Sequence, residues 1–505
     1  MPPIQSLAYD AARQIAGSLI MVRITGTELD ADTAQFLRTN GIRAVCLFRQ
    51  NMRDAEQLLR LTTDLRTVMG PQCLIALDQE GGAVVRVTWV PAPPSAMAMG
   101  AVGDISLARE VGAAVARAIR ALGFNWNFAP VLDLNNNPHN PVIAERSFGS
   151  EARPAAALAM AWMEGSHAEG VACCVKHFPG HGDTHVDSHR ALPVVDKSLA
   201  ELEQGEFAPF RLALENAPAI MSAHIVYPAL DATYPATLSH AILTDLLRSQ
   251  WQYAGVVITD SMDMQAIAGI YGAGAAAVQA LAAGADMVMA LGDRAVQEQT
   301  LDAISEAILN GGLALADMHV HQRRLAQLAQ TYRSQPDTYQ TADADKALMA
   351  RAWRAALTFR GANAPANARP PAGTAIRLVM RQESVSDGVA EVGVSSTTLM
   401  AVLAQSFDVA LTTFADAEQF DWHSLPEDGR FVILASTSRL RYGPQVRAHW
   451  RPDLHLALWN PYQALDIAAP ALLTYGFAAP ALEAVLAWLT GELTATGTCP
   501  VSGFA

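Results

Sequence analysis

The sequence predicts an α/β protein: a (β/α)8 TIM barrel followed by a smaller α/β sandwich. Three observations predict it. Short apolar runs recur through the first 290 residues, alanine- and leucine-rich segments with helical spacing separate them, and charged or imidazole side chains close run after run. Continuous apolar strands alternating with helices indicate a parallel sheet covered on both faces. The runs are 19–24, 44–48, 74–78, 124–134, 170–178, 219–226, 255–260 and 285–291, with helical segments such as 31–40, 54–69 and 107–123 between them. A doubly wound open sheet would satisfy the same count. The polar ends decide between the two. Asp78, Asp133, Lys176, His177, His224 and Asp260 all fall at the carboxyl ends of predicted strands. A closed barrel gathers such ends around one pocket, whereas an open sheet spreads them along an edge.

A chain of 505 residues exceeds one ordinary core. The barrel is expected over 1–335, a helical segment and linker over 336–373, and the sandwich over 374–505. Residues 361–373 are rich in proline, alanine and glycine and carry only the charge of Arg369, the composition of a linker. Beyond them apolar runs return at 376–380, 408–414, 430–436, 454–460 and 471–476. Half the residues are hydrophobic, 17% are charged and the net charge is −14, which suits a large globular enzyme and argues against nucleic acid or an anionic membrane as the main partner. Cys46, Cys73, Cys173 and Cys174 lie in apolar runs and read as buried thiols. The first residues lack a basic stretch, and their apolar run is too short for a signal or a membrane span, so a cytoplasmic protein is expected. No glycine-rich phosphate loop, Walker motif or Cys-x-x-Cys pair occurs, and no cofactor is expected.

The densest chemistry lies between Lys176 and His189. A fixed cation, the glycines Gly180 and Gly182, and an Asp-x-His pair, Asp187 and His189, share fourteen residues. Backbone made irregular by glycine and proline is where functional side chains collect. An aspartate that accepts a hydrogen bond from one imidazole nitrogen leaves the other for proton transfer near neutral pH. His177, His181, His185 and His189 recur every fourth residue, which on a helix would form one metal-binding face. Pro179, Gly180 and Gly182 argue against that helix. On a strand, His181, Asp183, His185, Asp187 and His189 would share a face, so a metal reading stays open beside a solvated loop.

These motifs resemble glycoside hydrolase family 3, and within it the β-N-acetylglucosaminidase branch. Residues 246–263, LLRSQWQYAGVVITDSMD, resemble the family's active-site signature; 78–86, DQEGGAVVR, resemble its sugar-binding segment; 176–189, KHFPGHGDTHVDSH, have the spacing of the N-acetylglucosaminidase branch. The resemblance covers the barrel, and over the C-terminal part it rests on domain order. It implies a retaining mechanism with Asp260 as nucleophile, where an ionised carboxylate attacks the anomeric carbon. On the residues alone the alternative for Asp260 is a cap of the following helix, and Asp263 is a nearby carboxylate outside the signature position. The resemblance makes His189 the acid/base, oriented by Asp187; on composition His181 or His185 could serve. Asp78, Arg86, Arg146, Lys176, His177 and His224 are implied as substrate-binding residues. A structural ion pair is the alternative for Arg146, and a core histidine the alternative for His224.

The expected function is a retaining exo-β-N-acetylglucosaminidase acting on a small oligosaccharide with terminal GlcNAc, from muropeptides of peptidoglycan recycling or from chitin. A phosphorylase using phosphate as acceptor is the alternative. Behind these stand a metal-dependent hydrolase built on the histidine run and a non-catalytic sugar-binding protein.

Overall fold

The computed structural model describes residues 3–186, 191–362, 365–382, 389–390 and 393–504. All eight predicted runs form parallel strands of one closed barrel: β1 (Ile20–Arg23), β2 (Ala44–Cys46), β3 (Leu74–Leu77), β4 (Trp126–Asn127), β5 (Ala172–Phe178), β6 (Ala219–Ser222), β7 (Val256–Ser261) and β8 (Met287–Ala290). Each pairs with its neighbour in sequence, and Ile20 opposite Val288 closes the ring. The strands read as unbroken apolar runs because both faces are covered: β2, β3, β6 and β8 have no exposed residue. The fourth run is shorter than its hydrophobicity suggests. After Trp126–Asn127 only an isolated bridge from Val131 to Lys176 continues it, because Pro130 has no amide hydrogen for the ladder.

Helices start where the sequence supplies caps. Asp30 accepts from Thr33 N at 2.7 Å ahead of Ala31–Thr39, and Asp54 accepts from Gln57 N at 2.8 Å ahead of Ala55–Met69. The second helix then buries Leu58, Leu61, Leu65 and Met69, one stripe at helical spacing.

The chain divides into two compact units. One comprises Met1–Gln79, Arg109–Asp133 and Ala159–Thr341; the other Glu80–Ala108, Leu134–Leu158 and Ala342–Ala505. Two long insertions of the expected barrel domain therefore belong with the C-terminal part. Within this second unit a six-stranded sheet runs in the order Thr358–Arg360, Ala471–Leu473, Leu454–Ala457, Phe431–Ser436, Ile376–Arg381, Val409–Phe414, with only the first strand antiparallel. The five parallel strands match the predicted runs. Leu378, Ile433, Leu456 and Leu472 from four of them share one buried cluster.

The expected helical segment before residue 361 is a structural part of this unit. Helix Asp343–Ala356 packs on helix Ala96–Val102, Trp353 Nε1 donates to Ala92 O at 3.0 Å, and Thr358–Arg360 adds the antiparallel edge. Ser95 Oγ donates to Tyr475 O at 2.6 Å. Met97, Ala98 and Ala101 are buried with Trp353, Tyr462 and Tyr475. Local composition hides such packing because every partner is more than a hundred residues away.

Candidate active site

The described thiols are unbridged, and Cys46, Cys73, Cys173 and Cys174 are buried as expected. Above them, the carboxyl ends of β3, β4, β5 and β7 present the polar groups. Lys176, near the end of β5, is almost wholly buried, and its Nζ stands 2.6 Å from Oδ1 of Asp78, the residue after β3. Asp260 is the last residue but one of β7, at the same end of the barrel. The Cys174 thiol is pushed well up by burial, drawn down by the Lys176 charge and pushed up further by Asp78 and Asp260. Residues 78, 176 and 260 all lie at the carboxyl ends of strands in one closed barrel, the arrangement that gathers such groups around its mouth.

His177 is fixed by Asp133. Its Nδ1 lies 2.6 Å from Oδ2 of that carboxylate, which also accepts from His177 N at 3.1 Å and His181 N at 2.6 Å. Burial pushes the Asp133 carboxyl up, but the His177 and His181 charges and hydrogen bonds outweigh it, and the group is held below its ordinary 3.8. With Nδ1–H donating to Asp133, a neutral His177 ring presents Nε2 as an acceptor. The sequence marked Asp133 as a strand-end carboxylate without giving it a role. Its place is behind His177.

Residues 179–186, past β5, form a loop, neither helix nor strand. His181 Nδ1 is 2.9 Å from Thr184 Oγ1, and His185 is exposed. Gly180 sits at φ 141, where a Cβ would come within 2.6 Å of Glu206 Cβ, so this close approach admits only glycine. Glu206 in turn meets Lys197 at 2.7 Å, and Lys197 meets Asp183 at 2.9 Å. Among the described residues no group of three or more His, Cys, Asp or Glu could hold a metal ion. Asp187 and His189 lie outside the described residues.

Asp260 does not cap a helix. The next helix begins at Gln265 behind Met264, and Asp260 Oδ1 accepts from Ser261 N at 2.7 Å. The preceding Thr259 is buried, its Oγ1 accepting from Met289 N at 3.0 Å, which ties β7 to β8. Asp263 is exposed and takes the Ser261 hydroxyl. His224 is buried with Nε2 2.9 Å from Ser261 O and Nδ1 2.9 Å from Thr237 Oγ1. It braces the backbone that follows Asp260, a core histidine in burial and a support of the site in position.

Arg86 and Arg146 lie in the second unit. Arg86 Nη1 donates to Val389 O at 3.2 Å. Arg146 forms a bidentate pair with Glu80, Nε to Oε2 at 2.9 Å and Nη2 to Oε1 at 2.8 Å, with side chains 5% and 6% exposed. Arg146 is thus held by a carboxylate of its own unit. The sequence reading missed Glu80, although it stands two residues after Asp78.

An eight-stranded barrel with carboxylates and cations at the carboxyl ends of its strands is the setting of a glycoside hydrolase. Residues 13–328 match the Glycosyl hydrolase family 3 N terminal domain, more than half of the chain, and the protein belongs to that family. It is 35% identical over 336 residues to β-hexosaminidase A of Pseudoalteromonas piscicida, covering 61% of this chain and 56% of that protein, so the match spans little more than half of that relative's length. It is 36% identical over 292 residues to the β-hexosaminidase of Idiomarina loihiensis, covering 56% of this chain and 87% of that one. The structure of a family 3 β-N-acetylglucosaminidase from Paenibacillus sp. str. FPU-7 is similar at TM-score 0.89 and 32% identity, over 97% of this chain and 98% of that one. A β-glucoside phosphorylase structure, 20% identical at TM-score 0.80, shares the fold.

Proposed function

We propose that the protein is a retaining exo-β-N-acetylglucosaminidase that releases terminal GlcNAc from muropeptide or chitin-type oligosaccharides. The observation that carries the reading is Asp260 at the end of β7, outside any helix cap and at the same carboxyl end of the barrel as the Asp78–Lys176 pair. In the first step an Asp260 oxygen bonds to the anomeric carbon as the glycosidic bond breaks, and the leaving oxygen takes a proton from His189. In the second, His189 takes a proton from water, the water oxygen bonds to the anomeric carbon, and the Asp260 carboxylate leaves. Asp187 orients that imidazole. These two roles rest on the match of residues 176–189 to the family motif. Asp78 and His177 Nε2 accept from sugar hydroxyls, and Lys176, Arg86 and Arg146 donate to hydroxyls and the acetamido group. The two β-hexosaminidases and the β-N-acetylglucosaminidase structure support GlcNAc as the sugar.

Turnover of nitrophenyl β-GlcNAc beside nitrophenyl β-glucoside, with and without phosphate, tests the reading. Preference for the GlcNAc substrate with free GlcNAc as product is expected, and Asp260→Ala should lower kcat on the order of 10⁴-fold with an unchanged melting curve. Accumulation of GlcNAc-1-phosphate would make the protein a phosphorylase. Near-wild-type kcat in Asp260→Ala would remove the nucleophile.

A further inference from the structure

We propose that Arg439 is a positioning residue for substrate binding: it clamps Glu145 and thereby fixes the turn that presents Arg146. The inference rests on Arg146 being a ligand of the sugar. Glu145 and Arg146 are consecutive on the single turn Ala144–Arg146. The turn opens on Ala144 at φ 39, a left-handed conformation that a residue with a Cβ holds only when its surroundings impose it.

The surroundings do impose it. Arg439 Nε and Nη2 donate to Glu145 Oε2 at 3.1 Å and Oε1 at 2.8 Å, and the side chains are 2% and 1% exposed. The Arg439 guanidinium lies 4.7 Å from the Trp459 ring centroid, and Asn460 Nδ2 donates to Arg439 O. Asn135 Nδ2 donates to Ala144 O at 3.3 Å, while Tyr462 OH donates to Asn135 O at 3.3 Å. One carboxylate of the turn is therefore seized by Arg439, and the next side chain, Arg146, is seized by Glu80.

A fully buried, bidentate pair contributes little net stability against an apolar pair of similar size, because desolvation of both charges offsets their attraction. What it supplies is one geometry: two parallel N–H···O bonds admit a single relative placement of the groups. Arg439 thus acts on substrate binding through another side chain and not by contact. It sets where Arg146 stands.

Steady-state kinetics on nitrophenyl β-GlcNAc, with a melting curve for each variant, test the clamp. Wild type must turn the substrate over, and Arg146→Ala must raise KM. Failure of the first removes the proposed function and failure of the second removes Arg146 as a ligand; either overturns the clamp as well. Given both, the double variant Arg439→Met with Glu145→Leu removes both charges and keeps the volume. It is expected to melt near wild type, to raise KM about tenfold and to leave kcat within about twofold. A folded double variant with wild-type KM overturns the proposal. Glu145→Gln keeps the shape and a neutral hydrogen bond and guards against misfolding of the double variant. Its KM should rise about two- to threefold, and an unchanged KM in it overturns the proposal too.

Discussion

Each end of the barrel strands buries a carboxylate beside a histidine, and the two sites differ in who satisfies the charge. At the amino end, Asp286 precedes β8 and accepts from Arg248, from His321 Nδ1 at 2.7 Å, from Arg324 Nη1 at 2.9 Å and from Val257 N at 2.8 Å. At the carboxyl end, Asp133 accepts from His177 Nδ1 and from the amides of His177 and His181. Asp286 is answered by the cations of helices packed behind the sheet. Asp133 is answered by backbone of the segment that carries Lys176 and His177. The same carboxylate chemistry therefore anchors the scaffold at one end and shapes the site at the other, in line with the division of labour between the two faces of such barrels.

The largest expected effect breaks the amino-end cluster. Asp286→Ala leaves Arg248 and Arg324 partly buried without their carboxylate, and unfolding free energy should fall by about 3–5 kcal/mol. Denaturant unfolding measures it, and kcat of the folded enzyme at 25 °C should stay near wild type. A collapse of kcat in protein that remains folded would erase the distinction between the two ends. Next comes Asp133→Asn at the carboxyl end. The amide still accepts from two backbone N–H groups, but its NH₂ would face His177 Nδ1, which must then accept, so the ring proton moves to Nε2. That tautomer presents the wrong group to substrate, and kcat/KM on nitrophenyl β-GlcNAc should fall about 10²-fold. Equal kcat/KM would show that His177 does not depend on its orientation.

The family signature at 246–263 shows what the sequence made legible and what it hid. Its carboxyl half, ending at Asp260, was readable as chemistry because a carboxylate closes an apolar strand. Its opening Arg248 serves Asp286 and the carbonyls of Tyr253 and Gly255, a structural task, and nothing near residue 248 names a partner at 286. All eight barrel strands were legible because burial on both faces leaves unbroken apolar runs. Lys176 and Asp78 were each visible at a strand end, but their pairing over 98 positions needed closure of the barrel. The helical segment before residue 361 was visible in its spacing, but its packing on helix Ala96–Val102 had no local signal. Arg439 had no local signal at all; its partner Glu145 lies 294 residues away.

The smallest expected effect lies in acid and sharpens the comparison without touching activity. Asp286 and Asp133 are both held below their ordinary 3.8: burial raises each, and hydrogen bonds and charges, from His321, Arg248 and Arg324 in one case and from His177 and His181 in the other, outweigh it. The unfolded chain therefore binds a proton at each site at a higher pH than the folded protein does. Stability from these groups is fully present above 3.8 and is lost as pH falls through the depressed folded values. Asp286→Asn has no charge to lose, so its melting temperature, lower than wild type at pH 7, should decline less steeply than wild type below pH 3.8. Equal acid slopes in the two proteins would mean that Asp286 titrates alike folded and unfolded, and that its cations do not hold the proton off.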